Sequence, residues 1–133
     1  MKYCVTTYSF SKYIKNNVCD YKKICDLTKK MGFDGIEFTD LQPALWNGEE
    51  DRIKIAEGLR EYCKEIGLEI VSYTIGADVR SEKEKAVEKL KVCVDIAAAL
   101  GAPTMRHDVC YALPADDHLY TYRDAIKDRK SVV

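Results

Sequence analysis

Ser9, Glu37, Thr39, Asp40, Tyr73, Arg106, His107 and Asp108 stand where short β-forming runs end. Carboxylates and hydroxyls grouped in this way can hydrogen-bond a polyhydroxylated ligand, and a guanidinium binds phosphate or carboxylate oxygens in a bidentate fork. His107 can serve as a ligand or as an acid/base group. Each residue also has a plainer reading. Glu37 can be a buried carboxylate paired with Arg106, Arg106 can be salt-bridged to Glu37 or Asp108, and His107 can be structural. Because a strand alternates its faces, Arg106 and His107 cannot both point to the same side. Asp108 and His118 have no assignable partner, and His118 reads as a solvated loop residue.

The elements that position these groups repeat. Met31-Gly32-Phe33-Asp34-Gly35-Ile36-Glu37-Phe38-Thr39-Asp40 reads as a helix end, a glycine stop, a buried strand and then polar side chains. Ile66-Gly67-Leu68-Glu69-Ile70-Val71-Ser72-Tyr73 and Leu100-Gly101-Ala102-Pro103-Thr104-Met105-Arg106-His107-Asp108 have the same layout. The glycines recur at a period of about 35 residues, the length of one βα unit, so the chain is predicted to be a run of such units.

In order, the pattern predicts a first strand over 2–10 and a polar loop over 11–20, with Asp20 capping a helix. That helix carries Tyr21, Ile24, Cys25, Thr28 and Met31 on one face and lysines on the other. A second strand over 34–38 leads into a loop over 39–49, in which Trp46 either closes over a ligand or covers the rim. The next helix has Ile53, Ala56, Leu59, Tyr62, Cys63 and Ile66 on its buried face. A third strand over 68–73 precedes a capping box of Ser81 and Glu84. The stripe that follows is Ala86, Val87, Leu90, Cys93, Val94, Ala97 and Leu100, and a fourth strand covers 103–107. A fourth helix can begin over 116–127. Alternating helices and strands of this kind imply parallel pairing.

At 133 residues the chain is expected to be one domain. A net charge of −1 provides no electrostatic footprint for nucleic acid or an anionic membrane, so neither is expected as a partner. No apolar run approaches the ~20 residues of a membrane span, and the N-terminus lacks the apolar core of a signal peptide. A cytoplasmic location is expected. None of the six cysteines forms a CxxC pair; Cys25, Cys63 and Cys93 fall on predicted apolar stripes and read as small core residues.

Gly32-Phe33-Asp34-Gly35-Ile36-Glu37-Phe38, together with Tyr8-Ser9-Phe10 and Thr104-Met105-Arg106-His107-Asp108, resembles the sugar phosphate isomerase/epimerase family. That family is the xylose isomerase-like TIM barrel group, which also includes endonuclease IV. The resemblance implies an α/β fold of parallel βα repeats and a partial TIM barrel. Residues 1–127 would be the N-terminal half of the barrel, about four of its eight βα units. Residues 128–133 read as a non-native tail, because Asp128-Arg129-Lys130-Ser131-Val132-Val133 back-translates to a common sequencing-adapter read.

The resemblance further implies a fragment acting on a small sugar or sugar phosphate by metal-assisted proton transfer next to a carbonyl, and inactive alone. Ser9, Glu37, Tyr73, Arg106 and His107 are the substrate-binding candidates; no catalytic residue or metal ligand is assigned. A divalent metal (Mn, Mg, Zn or Co) is implied for the full-length family member, with none expected on this fragment. Two alternatives are an endonuclease IV-like DNA repair barrel fragment and a non-catalytic flavodoxin-like binding module. The acidic pI of about 6.1 and the lack of a histidine ending the third strand oppose the first. The second lacks a phosphate-binding glycine loop after the first strand. Four strands would leave two open edges, so self-association, including a homodimer that closes the barrel, is expected.

Overall fold

The computed structural model describes residues 1–111 and Lys127. Among the described residues four strands form one sheet: β1 (Cys4–Thr6), β2 (Gly35–Thr39), β3 (Glu69–Ile75) and β4 (Met105–His107). Their order is β1-β2-β3-β4 and every neighbouring pair is parallel. Parallel neighbours need crossovers, which here carry α2 (Tyr21–Lys30), α3 (Arg52–Ile66) and α5 (Glu84–Leu100). Two shorter helices, α1 (Ser11–Lys15) and α4 (Val79–Glu82), lie between. A sheet that advances by one neighbour per βα unit winds as a barrel does, whereas a flavodoxin-like sheet has the order 2-1-3-4-5. The strand order therefore sets aside the flavodoxin-like module.

Local chemistry accounts for the helix limits. The Lys23 amide donates to the Asp20 carboxylate at 2.8 Å and the Ile53 amide to that of Asp51 at 2.9 Å, capping α2 and α3. Gly67 and Gly101 end α3 and α5 in the left-handed region, at φ 69° and 72°, which lets the Leu68 and Ala102 amides turn back onto Cys63 and Ala97. The helix layer and one sheet face make the core, with Ile24, Cys25, Ile36, Phe38, Leu59, Tyr73, Leu90 and Leu100 buried. Cys25, Cys63 and Cys93 are buried within it, and the six cysteines are free thiols.

Four expectations change. The first strand stops at Thr6: the Tyr8 amide donates to the Thr6 hydroxyl, opening a 3-10 turn over Thr7–Phe10 that puts Ser9 on an exposed turn. The polar loop over 11–20 contains α1. No box forms between Ser81 and Glu84, because Asp78, a stronger acceptor, takes both the Ser81 amide at 3.0 Å and its hydroxyl at 3.1 Å. This makes α4, and Lys83, at φ 46°, separates it from α5, which starts without a side-chain cap. Lastly, Met31 and Val94 are exposed, while Ile55 and Ile96 are buried. The expected helix over 116–127, His118 and the tail over 128–133 lie outside the described residues, Lys127 excepted.

The register contains one irregularity. Ile36 pairs with Ile70, but Glu37 pairs with Ser72, so β3 has one extra residue, Val71, at a bulge. Beyond it Phe38 pairs with Tyr73 and Thr39 with Thr74, which in turn pairs with Arg106. The bulge thus selects Thr74, rather than Tyr73, for the row that runs between Thr39 and Arg106.

Candidate functional site

Along β2 the core takes Ile36 and Phe38, which leaves Glu37 and Thr39 on the opposite sheet face. At the C-terminal ends of the strands this face opens into a cavity of about 410 Å³. Thr6, Glu37, Thr39, Thr74, Ile75 and Arg106 line it from the four strands, and Tyr8, Asp40, Gln42, Gly76 and Asp108 from the segments that follow them. In barrels built of βα units this end is the one that carries binding and chemistry.

Of the residues singled out in the sequence, Glu37, Thr39, Asp40, Arg106 and Asp108 come together in this wall. Tyr73, His107 and Ser9 are outside its lining. Tyr73 is fully buried in the helix-facing core, where desolvation pushes its phenol well above the usual range. Its hydroxyl reaches the Asp40 carboxylate at 3.5 Å, so it braces one cavity residue from behind. His107 donates from Nδ1 to the Asp108 carbonyl at 2.7 Å. Alternation on β4 thus resolves in favour of Arg106 on the cavity side.

The hydrogen bonding separates committed groups from uncommitted ones. Asp40 accepts from Arg52 Nη1 at 3.1 Å. The buried Thr7 hydroxyl bonds that of Thr39 at 2.8 Å and accepts from the Thr39 amide at 2.9 Å, tying the turn after β1 to the end of β2. The ion pairs read as alternatives for Glu37 and Arg106 are not formed: among the described residues neither is joined to the other, and Arg106 is not paired with Asp108. Thr74 is 8% exposed and its hydroxyl has no hydrogen-bond partner.

Trp46 does not line the cavity. Its indole lies against Gly58 of α3, with the Lys22 ammonium 5.2 Å from its ring centroid. Sequence reasoning missed Thr6, Tyr8, Gln42, Thr74, Ile75 and Gly76 as cavity residues. For Thr74 the signal was present as alternation, but the bulge that sets its phase has no mark in the residue types.

Parallel βα units wound in one direction, with a polar cavity at the strand ends, define an α/β barrel-type domain. The family model described as xylose isomerase-like TIM barrel matches residues 25–129, and the chain belongs to that family. No curated protein matches the chain. Among the described residues no three His, Cys, Asp or Glu side chains gather as a metal site, and Asp40 is already held by Arg52. By itself this donor set does not fit the divalent metal that the resemblance implies for a full-length family member. No helix among the described residues is long and apolar enough to cross a membrane.

Proposed function

We propose that this chain belongs to a sugar phosphate isomerase/epimerase type of barrel, and that its strand-end cavity binds a small sugar or sugar phosphate. The observation that carries this reading is the pair of uncommitted, oppositely charged groups, Glu37 and Arg106, in one cavity wall. A carboxylate accepts from vicinal hydroxyls, and a guanidinium donates to a carbonyl, phosphate or carboxylate oxygen. Together they orient a polyhydroxylated substrate; proton transfer beside its carbonyl is left to groups that the described residues do not gather. The endonuclease-like alternative has less support, because β3 ends in Thr74 and Ile75 and no described histidine lines the cavity.

The test is a heteronuclear NMR titration of the 133-residue chain with ribose and with ribose 5-phosphate. Shifts at Glu37, Thr39 and Arg106, weakened by Glu37→Gln, are the expected result. Saturation at neither ligand, or shifts confined to other surfaces, would overturn the reading.

A further inference from the structure

A buried polar atom without a partner is uncommon, because losing its hydration is not offset by any bond. Two such atoms occur among the described residues, the hydroxyls of Thr28 and Thr74. Their settings differ. Thr28 is inside α2 in the helix-facing core, and lines no part of the strand-end cavity. Thr74 is in β3, on the cavity wall, between Thr39 and Arg106 in the ladder. The backbone groups of a central strand are used by their neighbours, so a hydroxyl there has no helical carbonyl behind it to accept its proton.

The rest of that row decides what the orphan hydroxyl can meet. The Thr39 hydroxyl is taken by Thr7. Arg106, directly across the ladder on β4, is exposed and lines the same cavity. Adjacent parallel strands lie about 4.8 Å apart, so a hydroxyl and a guanidinium on paired residues can converge on the oxygens of a single group. Glu37 and Asp108 supply acceptors in the same wall. The position also differs from the loops after strands 7 and 8, where barrels often take phosphate.

We propose that Thr74 and Arg106 form an oxyanion subsite, with Thr74 as a specificity-determining residue, so that the ligand of this cavity carries an ionised phosphate or carboxylate beside its hydroxyls. This rests on the reading of the cavity as the ligand site. It adds that anionic ligands are selected over neutral sugars, and it names the hydroxyl that takes part in the selection.

The experiment uses the 133-residue chain and its variants Thr74→Val, which keeps the shape and removes the hydroxyl, and Thr74→Ser, which keeps the hydroxyl. Inorganic phosphate, acetate, ribose and ribose 5-phosphate are titrated separately by NMR. Phosphate is expected to shift β3 and β4 resonances, with affinity lowered about tenfold by Thr74→Val, the loss of a hydrogen bond to a charged group, and kept by Thr74→Ser. Ribose affinity is expected to change little in either variant. Thr74→Val is also expected to melt higher than the parent, since an unsatisfied buried hydroxyl is removed; a structural role would move the melt the other way. Acetate matching inorganic phosphate assigns the subsite to oxyanions in general; binding of inorganic phosphate and ribose 5-phosphate without acetate assigns it to phosphate groups. Unchanged phosphate affinity in Thr74→Val overturns the subsite. Ribose binding without phosphate or acetate binding overturns it while leaving the sugar-site reading intact, and failure of all four ligands to bind removes both.

Discussion

Gly58→Ala sets two effects of similar size against each other, and the structure says which prevails. Gly58 is inside α3, where alanine is favoured over glycine by about 1 kcal/mol. A Cβ at this position would stand 2.6 Å from Trp46 Cζ2 and 3.1 Å from Cε2. Carbon contacts are most favourable near 3.5–4.0 Å, so the indole must retreat by about 1 Å from the helix. Overpacking of this kind costs about 1–3 kcal/mol. The net expectation is destabilisation by about 1 kcal/mol. Trp46 is the single tryptophan, so its emission reports the displacement directly and is expected to shift to the red. The decisive control is Trp46→Ala, in which the clash is gone: there Gly58→Ala is expected to stabilise by about 1 kcal/mol. Urea unfolding of the four proteins in the cycle measures the coupling. Stabilisation by Gly58→Ala with Trp46 in place would show that the indole does not rest on α3, and would refute the packing argument.

Cys4 is expected to alkylate first in the native protein, whereas Cys25, whose thiol is pushed up by its hydrogen bond to Cys63 at 3.7 Å and by burial, stays protected until unfolding. Mass spectrometry after timed iodoacetamide quench reads the order, and early labelling of Cys25 contradicts the contact between α2 and α3. Burial raises the Tyr21 phenol to about 12 from an ordinary value of 10.0, a stabilisation fully present below the ordinary value and lost as pH rises through the raised one. Denaturant midpoints measured between those pH values are expected to fall, and Tyr21→Phe to lessen the fall; an equal slope in the variant rejects the assignment. Asp20→Ala is expected to lower stability by about 1 kcal/mol through loss of the cap on α2, read from the urea midpoint. β1 and β4 end the sheet with one side each unpaired by another described strand, so two copies are expected to associate edge to edge. Sedimentation equilibrium giving the monomer mass of 15.2 kDa at all concentrations rejects that expectation.

Half of the site was legible from residue types placed at strand ends. Glu37 follows a glycine stop and a β run, and the core's claim on Ile36 and Phe38 leaves it only the other face. Arg106 and His107 were known to diverge, although which one faced the cavity was open until β4 paired with β3. The 3-10 turn at Thr7–Phe10 was hidden in the β-forming run: its Thr6 cap is local, but its docking onto the end of β2 depends on Thr7 bonding to Thr39, 32 positions away. The same is true of Trp46, whose neighbour Gly58 is apparent only once α3 has folded back beside the loop.

Sequence alone determined the alternation of helices and strands, the capping at Asp20 and the stops at Gly67 and Gly101, since these depend on interactions within a few residues. It also carried the family resemblance that the match over residues 25–129 bears out. Tertiary structure decided the strand order, the bulge at Val71 and therefore the exchange of Tyr73 for Thr74 in the cavity row. The physical reason is period two: one extra residue in a strand reverses the face of every side chain beyond it, and only pairing with a partner strand shows where that residue has been inserted.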